Sequence, residues 1–350
     1  MSLAIIRAFL RRNLLPDHCI LFVTERCNSR CATCFFWQNL NVGNELSLAK
    51  LEKVARSIGR LTWLDLSGGE PFLRQDLAEL CRLFHVHTRF SYLNVPTNGL
   101  LPKAVEQKTS AILAACLGAQ ITVAVSLDGF KETHDRTRGV PGNWERAHQT
   151  IEALKGLRGR YRNLVVAVCS IVMQENAAAM PDLLDYVQGL DVDLHSLNIL
   201  RGDPRDKACR PPTHEQYAEI APKFIEKLAY YYRRRLHFPG WKAWLAARLQ
   251  RALQARHVGV LAGTAASDTC VAPKRCAVIY ADGGVAVCEL LRPLGNLRDY
   301  DFDFRRLWLA PDIAAEREIL ARAKCLCTHA CFQGKNMQLK PRRLLRALCR

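Results

Sequence analysis

Residues 19–37 read CILFVTERCNSRCATCFFW, a short apolar run that leads straight into three closely spaced cysteines. The run Cys19 to Thr24 has the β-branched and aromatic content of a buried strand. Cys27, Cys31 and Cys34 follow in a C-x-x-x-C-x-x-C spacing. Fifteen cysteines scattered over the chain would give that spacing by chance in roughly 0.03 places. Three thiolates on one loop can hold three irons of a cubane and leave the fourth without a protein ligand, an open position where a small molecule binds. A zinc site lacking its fourth ligand and a set of inert buried thiols are the other readings of the same triplet.

Working outward, β-rich runs recur at 61–67, 90–96, 120–127, 163–173 and 192–200, separated by amphipathic helical patterns. Near-continuous apolar strands alternating with helices imply βαβ crossovers and a parallel sheet covered on both faces. Six such strands predict an α/β fold, a partial (β/α)6 TIM-type barrel, rather than a closed eight-stranded one. The expected division is a basic amphipathic N-terminal helix (1–17), the barrel core (18–212), basic amphipathic helices (213–258), a small cysteine-rich α+β domain (259–335) and a basic tail (336–350). Thr213 and Gln216 form a capping box that opens the first of the basic helices. The small-residue stretch 259–268 reads as a linker, and Asp282-Gly283-Gly284 as the turn of a hairpin.

SGGEP, carrying Gly68, Gly69, Glu70 and Pro71, stands directly after the second strand. Thr97 and Asn98 end the third, Ser126 and Asp128 in SLDG end the fourth, and His134, Asp135, Arg138 and Gly139 follow as HDxxRG. Taken in order with the cysteine loop, these segments resemble the radical S-adenosylmethionine (radical SAM) superfamily over residues 18–200. The resemblance implies a [4Fe-4S] cluster on Cys27, Cys31 and Cys34 whose unique iron binds S-adenosyl-L-methionine. It implies cofactor contacts from Gly68, Gly69, Glu70, Pro71, Thr97, Asn98, Ser126, Asp128, Arg138 and, more weakly, Ser170. Glu70 suits a cationic ammonium and Arg138 a carboxylate. The implied activity is reductive cleavage of the cofactor to a 5′-deoxyadenosyl radical that abstracts a hydrogen atom from the substrate. No general acid/base pair is assigned. Cys209, in RDKACRPP, is the candidate hydrogen donor to a product radical.

Cys270, Cys276, Cys288, Cys325, Cys327 and Cys331 form a second group. The spacing Cys270-x12-Gly283-x4-Cys288 resembles the opening of a SPASM or twitch extension, which implies an auxiliary [4Fe-4S] cluster. Cys276, Cys288, Cys327 and Cys331 are the expected ligands, with Cys270 and Cys325 as substitutes. Four thiolates also suit a structural zinc. Cys19, Cys81, Cys116 and Cys169 read as core residues.

With 50 Lys plus Arg against 33 Asp plus Glu, the chain carries +17, and 49% of its residues are hydrophobic. That balance excludes a disordered or collagen-like chain, and no run reaches the roughly 20 apolar residues a spanning helix needs. The first sixteen residues put their apolar stretch before Arg11 and Arg12, the reverse of a secretory signal. A cytoplasmic setting is therefore expected, with contact at the inner membrane surface through the basic ends. The resemblance points to a reductant such as flavodoxin or ferredoxin. It also points to a peptide or small-molecule substrate in peptide maturation or specialised-metabolite biosynthesis. The alternatives are a membrane-associated lipid or lipid-linked sugar substrate and a non-catalytic iron–sulfur or zinc module. No nucleic-acid-binding signature accompanies the basic segments.

Overall fold

The computed structural model describes residues 15–340 and residue 343. Six parallel strands alternate with helices: β1 (His18–Thr24), β2 (Trp63–Gly68), β3 (Tyr92–Thr97), β4 (Gln120–Ser126), β5 (Leu164–Val172) and β6 (Leu194–Ile199). Each lies within two residues of the run read from the sequence. They pair in chain order from β1 to β6, every step parallel. The sheet does not close, which is the partial barrel that six strands allow.

Helices Leu48–Ser57, Leu77–Thr88, Pro102–Ala115, Asn143–Gly156 and Met180–Gly189 cover the outer face. Their apolar stripes meet the outward side chains Leu64, Leu66, Leu93, Val95, Val123 and Val166 in one large core. Buried Leu, Ile and Val side chains contribute about 1.5–3 kcal/mol each, so this layer dominates the stability of the barrel.

The chain then forms helix His214–Tyr230, opened by the expected capping box. Gln216 N–H donates to Thr213 Oγ1 (3.3 Å) and Thr213 N–H to Gln216 Oε1 (2.9 Å). A π-helical turn, Tyr231–Arg235, leads to helix Gly240–Leu261, which runs three residues into the expected linker. Its buried residues include Ala243, Leu253, Gln254 and His257. Trp241 and Trp244 point outward, stacked with Lys242 and Arg248.

The cysteine-rich segment begins at β7 (Asp268–Thr269). The expected hairpin is present as β8 (Cys276–Ile279) and β9 (Gly284–Ala286), with Gly283 in the left-handed region at φ 98° that its turn requires. β8 pairs in parallel with β1, so the hairpin extends the barrel sheet to nine strands, ending with β10 (Gly295–Asn296). β11 (Lys324–Cys325) pairs antiparallel with β7, and helix Ala330–Leu339 packs against helix Gly240–Leu261. The expected N-terminal helix and basic tail lie largely outside the described residues.

Candidate active site

Strand alternation sends Trp63, Asp65, Ser67, Tyr92, Asn94, Ser126, Cys169 and Asn198 inward. They line a cavity of about 510 Å³ that Phe224, Leu228, Tyr232 and Leu253 close on one side and His329 and Cys331 on another. The cysteine loop that follows β1 is fastened by backbone bonds to three neighbours. Glu70 N–H donates to the Arg26 carbonyl (2.8 Å), and Arg30 and Ala32 N–H donate to the Arg138 and Thr137 carbonyls (3.1 and 2.8 Å). Arg205 and Asp206 N–H, from the segment after β6, reach the carbonyls of Cys34 and Ala32. Asn98 Nδ2 donates to Asn28 Oδ1 at 2.8 Å.

The glycines of SGGEP follow from this stitching. A Cβ on Gly68 would stand 2.2 Å from the Thr24 carbonyl oxygen, and one on Gly69 would stand 2.1 Å from that of Arg26. Only bare backbone lets β2 and the cysteine loop approach so closely. Pro71 is buried in the short turn Pro71–Leu73. Glu70 is also buried, and its carboxylate accepts from Asn98 N–H (2.7 Å) and Phe72 N–H (3.2 Å). Burial outweighs these donors and raises its carboxyl to about 7. Thr97 and Asn98 hold the turn after β3 by accepting from Gly99 and Leu100 N–H.

Asp128 has no solvent exposure. Its Oδ1 accepts from Ile171 N–H (2.8 Å), and its Oδ2 lies 2.7 Å from Arg138 Nη2. Arg138 Nη1 in turn lies 3.9 Å from Cys31 Sγ. The expected carboxylate partner of the cofactor is thus already anchored between the fourth strand end and the central thiol of the triplet. His134 accepts from Asp128 N–H, and burial with Arg138 lowers it to about 4, so the ring is neutral. Asp135 accepts from Gly142 and Trp144 N–H and has a capping role.

Two expectations need correction. Ser170 lies on the outward side of β5, fully buried, its hydroxyl donating to the Leu127 carbonyl and contacting His195 Nε2 (2.8 Å), so it is a packing bond and not a free ribose contact. Cys209 lines a separate pocket with Met173, Glu175 and Gln216 and is not among the residues lining the central cavity. Cys169, read as a core residue, instead faces the cavity and accepts from Asn198 Nδ2 at 3.1 Å.

Sequence reasoning also missed the polar groups of the cavity. Asp65 is bonded to buried His18 at 2.5 Å. Glu289 is bonded to His329 (2.6 Å) and Arg201 (3.1 Å). Burial acts to raise Glu289, but His329 and Arg201 outweigh it and hold the carboxyl at about 2. Arg201 also lies over the ring of Phe35, beside Cys34, and so links the first cysteine loop to the segment after Cys288. No local spacing signals these pairs, because each joins residues distant in the chain.

The tail thiols group differently from expectation. Cys325 and Cys327 interact, which lowers the Cys327 thiol and raises that of Cys325. The charges of Cys270 and Cys288 bear on the same pair. Cys270 Sγ accepts from Ala272 N–H (3.4 Å) and Asn336 Nδ2 (3.6 Å), and Cys327 Sγ from Gln333 Nε2 (3.3 Å). Cys270, Cys288, Cys325 and Cys327 thus lie within electrostatic range of one another, and Cys270 and Cys327 are served by N–H donors of the kind that surround cluster sulfurs. Cys276, expected as a ligand, is fully buried at the start of β8 with its Sγ 3.8 Å from His18 Nδ1. Cys331, also expected, opens into the central cavity. Strand direction decides both cases, since β8 turns Cys276 inward against β1. Among the described residues no three His, Cys, Asp or Glu side chains converge on a single metal ion.

The donor sets fit iron–sulfur clusters. At the first site, burial pushes Cys27 up to about 12 and Cys34 to about 11, while Arg138 offers the compensating positive charge beside Cys31. Metal bound there would have to displace those protons. The grouping at the second site gives a direct test. In a protein with Cys27, Cys31 and Cys34 all changed to Ala, about four irons should remain. Adding Cys270→Ala should remove most of them, whereas adding Cys276→Ser should not, as iron and sulfide analysis will show.

Residues 21–187 match the family described as the radical SAM superfamily. Pre-heme d1 synthase of Dinoroseobacter shibae is 30% identical over 182 residues, 51% of this chain and 42% of that protein. The antilisterial bacteriocin subtilosin biosynthesis protein AlbA of Bacillus subtilis is 29% identical over 216 residues, 61% of this chain and 45% of that protein. The chain spans less than half the length of these two relatives. The solved structure of native anSMEcpe with bound AdoMet and Cp18Cys peptide superposes with a TM-score of 0.58 at 16% identity, covering 95% of this chain and 99% of that one. Its likeness extends through the cysteine-rich segment and concerns the fold alone. By its strand order, its three-cysteine loop and the match over residues 21–187, this chain carries a radical SAM domain.

Proposed function

We propose that the protein is a radical SAM enzyme that abstracts a hydrogen atom from a peptide. The observation that carries this reading is the stitching of the cysteine loop to SGGEP, the turn after β3 and Arg138. A purely structural cluster would not need that cradle. When bound, the cluster and S-adenosylmethionine supply reductive cleavage and a 5′-deoxyadenosyl radical. The protein's own part is to bind, orient and exclude water. Cys27, Cys31 and Cys34 would hold the cluster, with Glu70 placed for the ammonium and Ser126 for the ribose. Trp63 and Tyr92, stacked 5.6 Å apart, line the cavity wall.

A peptide is favoured because the name of AlbA concerns a bacteriocin and anSMEcpe was solved with a peptide. A cavity of this size takes a side chain and leaves the backbone at the mouth. Cys270, Cys288, Cys325 and Cys327 would carry an auxiliary [4Fe-4S] cluster, and a one-electron carrier such as flavodoxin or ferredoxin would supply reducing equivalents. All fourteen described cysteines are free, which suits a reducing cytoplasm. No helix among the described residues is long and apolar enough to cross a membrane. The amphipathic ends expected to meet anionic lipid lie largely outside the described residues.

Reconstituted protein given dithionite and S-adenosylmethionine should release 5′-deoxyadenosine, detectable by liquid chromatography; none would defeat this reading. Binding should also depend on pH. A cation beside Glu70 favours its ionised form, and protonation as pH falls through about 7 removes that charge. Affinity for S-adenosylmethionine, measured by equilibrium dialysis, should be level above pH 8. It should weaken by up to about tenfold for each unit below 7. Glu70→Gln should flatten the profile.

A further inference from the structure

Asp65 stands midway along β2, in the wall of the central cavity between Trp63 and Ser67. Its Oδ2 is bonded to His18 Nε2 at 2.5 Å, and its Oδ1 has no hydrogen-bond partner among the described residues. His18 is buried, and its Nδ1 lies 3.8 Å from Cys276 Sγ. Burial pushes the Cys276 thiol up, so it keeps its proton and donates to Nδ1. That fixes the imidazole as the Nε2–H tautomer, a donor that steadies the carboxylate without cancelling its charge. Level with Asp65 across the sheet are Ile20 on β1 and Asn94 on β3, neither of them a cation.

The charged groups of the cavity lining are Asp65, Glu289 and Arg201. Glu289 and Arg201 answer each other at 3.1 Å. Burial lowers both lining histidines, His195 to about 3 and His329 in the same direction. Lys335, 4.5 Å from the centre of the Trp63 ring, is taken by Asp17 at 2.8 Å. Among the described residues Asp65 is therefore a negative charge in the cavity wall without a counter-ion.

We propose that the cavity selects a lysine side chain of the peptide, with Asp65 as its counter-ion. The proposal deepens the peptide reading above and rests on it. A carboxylate withdrawn from bulk water without a counter-charge is unfavourable, and a ligand ammonium supplies what the protein withholds. Arginine fits less well, because a guanidinium prefers both oxygens of one carboxylate and His18 holds one of them. The depth also suits lysine. Asp65 lies two residues below Ser67, about 7 Å along the strand. A four-carbon stem engaged there brings its α-carbon level with the strand ends that carry SGGEP and Ser126. Trp63, Tyr92 and Leu228 line the cavity and suit the methylenes of that stem. Asp65 thus sets which residue of the peptide enters and takes no part in the radical step.

The test uses the full-length, iron-loaded protein and peptides of the form acetyl-Gly-Gly-Xaa-Gly-Gly-amide, with binding read by isothermal titration calorimetry. The lysine peptide should bind at least about tenfold more tightly than the norleucine peptide, which has the same four-carbon stem without the ammonium, and more tightly than the arginine peptide. In Asp65→Asn, whose amide oxygen still accepts from His18, the preference for lysine over norleucine should vanish while iron content and melting midpoint stay unchanged. The wild type alone can overturn the proposal. Equal affinity for lysine and norleucine would do so, as would no binding of the lysine peptide at about 10 mM. Tighter binding of the arginine peptide would also overturn it, and so would tighter binding of a glutamate peptide, which would hand the cavity to Arg201. A preference for lysine that survives in Asp65→Asn would remove Asp65 from the site. Release of 5′-deoxyadenosine is measured separately. A protein that releases it yet shows no lysine preference defeats only this proposal, and one that prefers lysine yet releases none defeats the radical reading and leaves the lysine site standing.

Discussion

Cys31→Ala is expected to cut the yield of 5′-deoxyadenosine at least about a hundredfold, because a cluster ligand is worth more than the 10–100-fold typical of a residue that merely supports one. Cys31 is the thiol beside Arg138 Nη1, and its loop is fixed on both sides by the bonds from Arg30 and Ala32 to the helix Lys131–Arg138. The substitution removes one sulfur from a loop that the surrounding backbone already holds in place. Folding should therefore survive, with far-ultraviolet circular dichroism unchanged and about four irons lost. Undiminished yield from this variant would remove the triplet from the mechanism. A yield that falls together with the helical signal would mean that the loop, and not the cluster, had failed.

Asp128→Ala should be the most destabilising single change in the barrel. Its carboxylate is inaccessible, accepts from Ile171 N–H and lies 2.7 Å from Arg138, whose side chain is only 10% exposed. Removing one partner leaves a guanidinium buried without its counter-charge, at a cost of about 3–5 kcal/mol. For a domain of this size that corresponds to a melting midpoint lower by roughly 5–10 °C. Combining it with Arg138→Met should recover much of the loss, since no unpaired charge then remains. The double variant should nevertheless fail to bind S-adenosylmethionine. A single variant that melts at the wild-type temperature would show that the ion pair contributes nothing to stability.

These expectations separate stability from chemistry at neighbouring positions, and the two kinds of information were unequally visible in the chain. Helix Ala330–Leu339 shows why: Cys327 and Cys331 flank its start four residues apart, yet one faces Cys325 and the other faces the central cavity. Gln333 and Asn336, one and two turns into that helix, carry the amides that serve Cys327 and Cys270, and no motif marks them. Arg201, Glu289 and His329 were equally silent, being drawn from the end of β6, the segment after β9 and the loop before the last helix.

The order of strands and helices, the triplet of cysteines, SGGEP and the turns at the strand ends were all local in the chain. Alternating apolar runs specify a parallel sheet, and a parallel sheet collects its strand ends on one side, so the place of the site followed from the pattern alone. Side-chain direction did not follow, because a strand sends successive residues to opposite faces. Whether Ser170 or Cys169 meets the cavity depends on one residue of register. The choice of auxiliary thiols, the pairing of Asp128 with Arg138 and the attachment of β8 to β1 were likewise fixed only by packing between segments far apart in sequence.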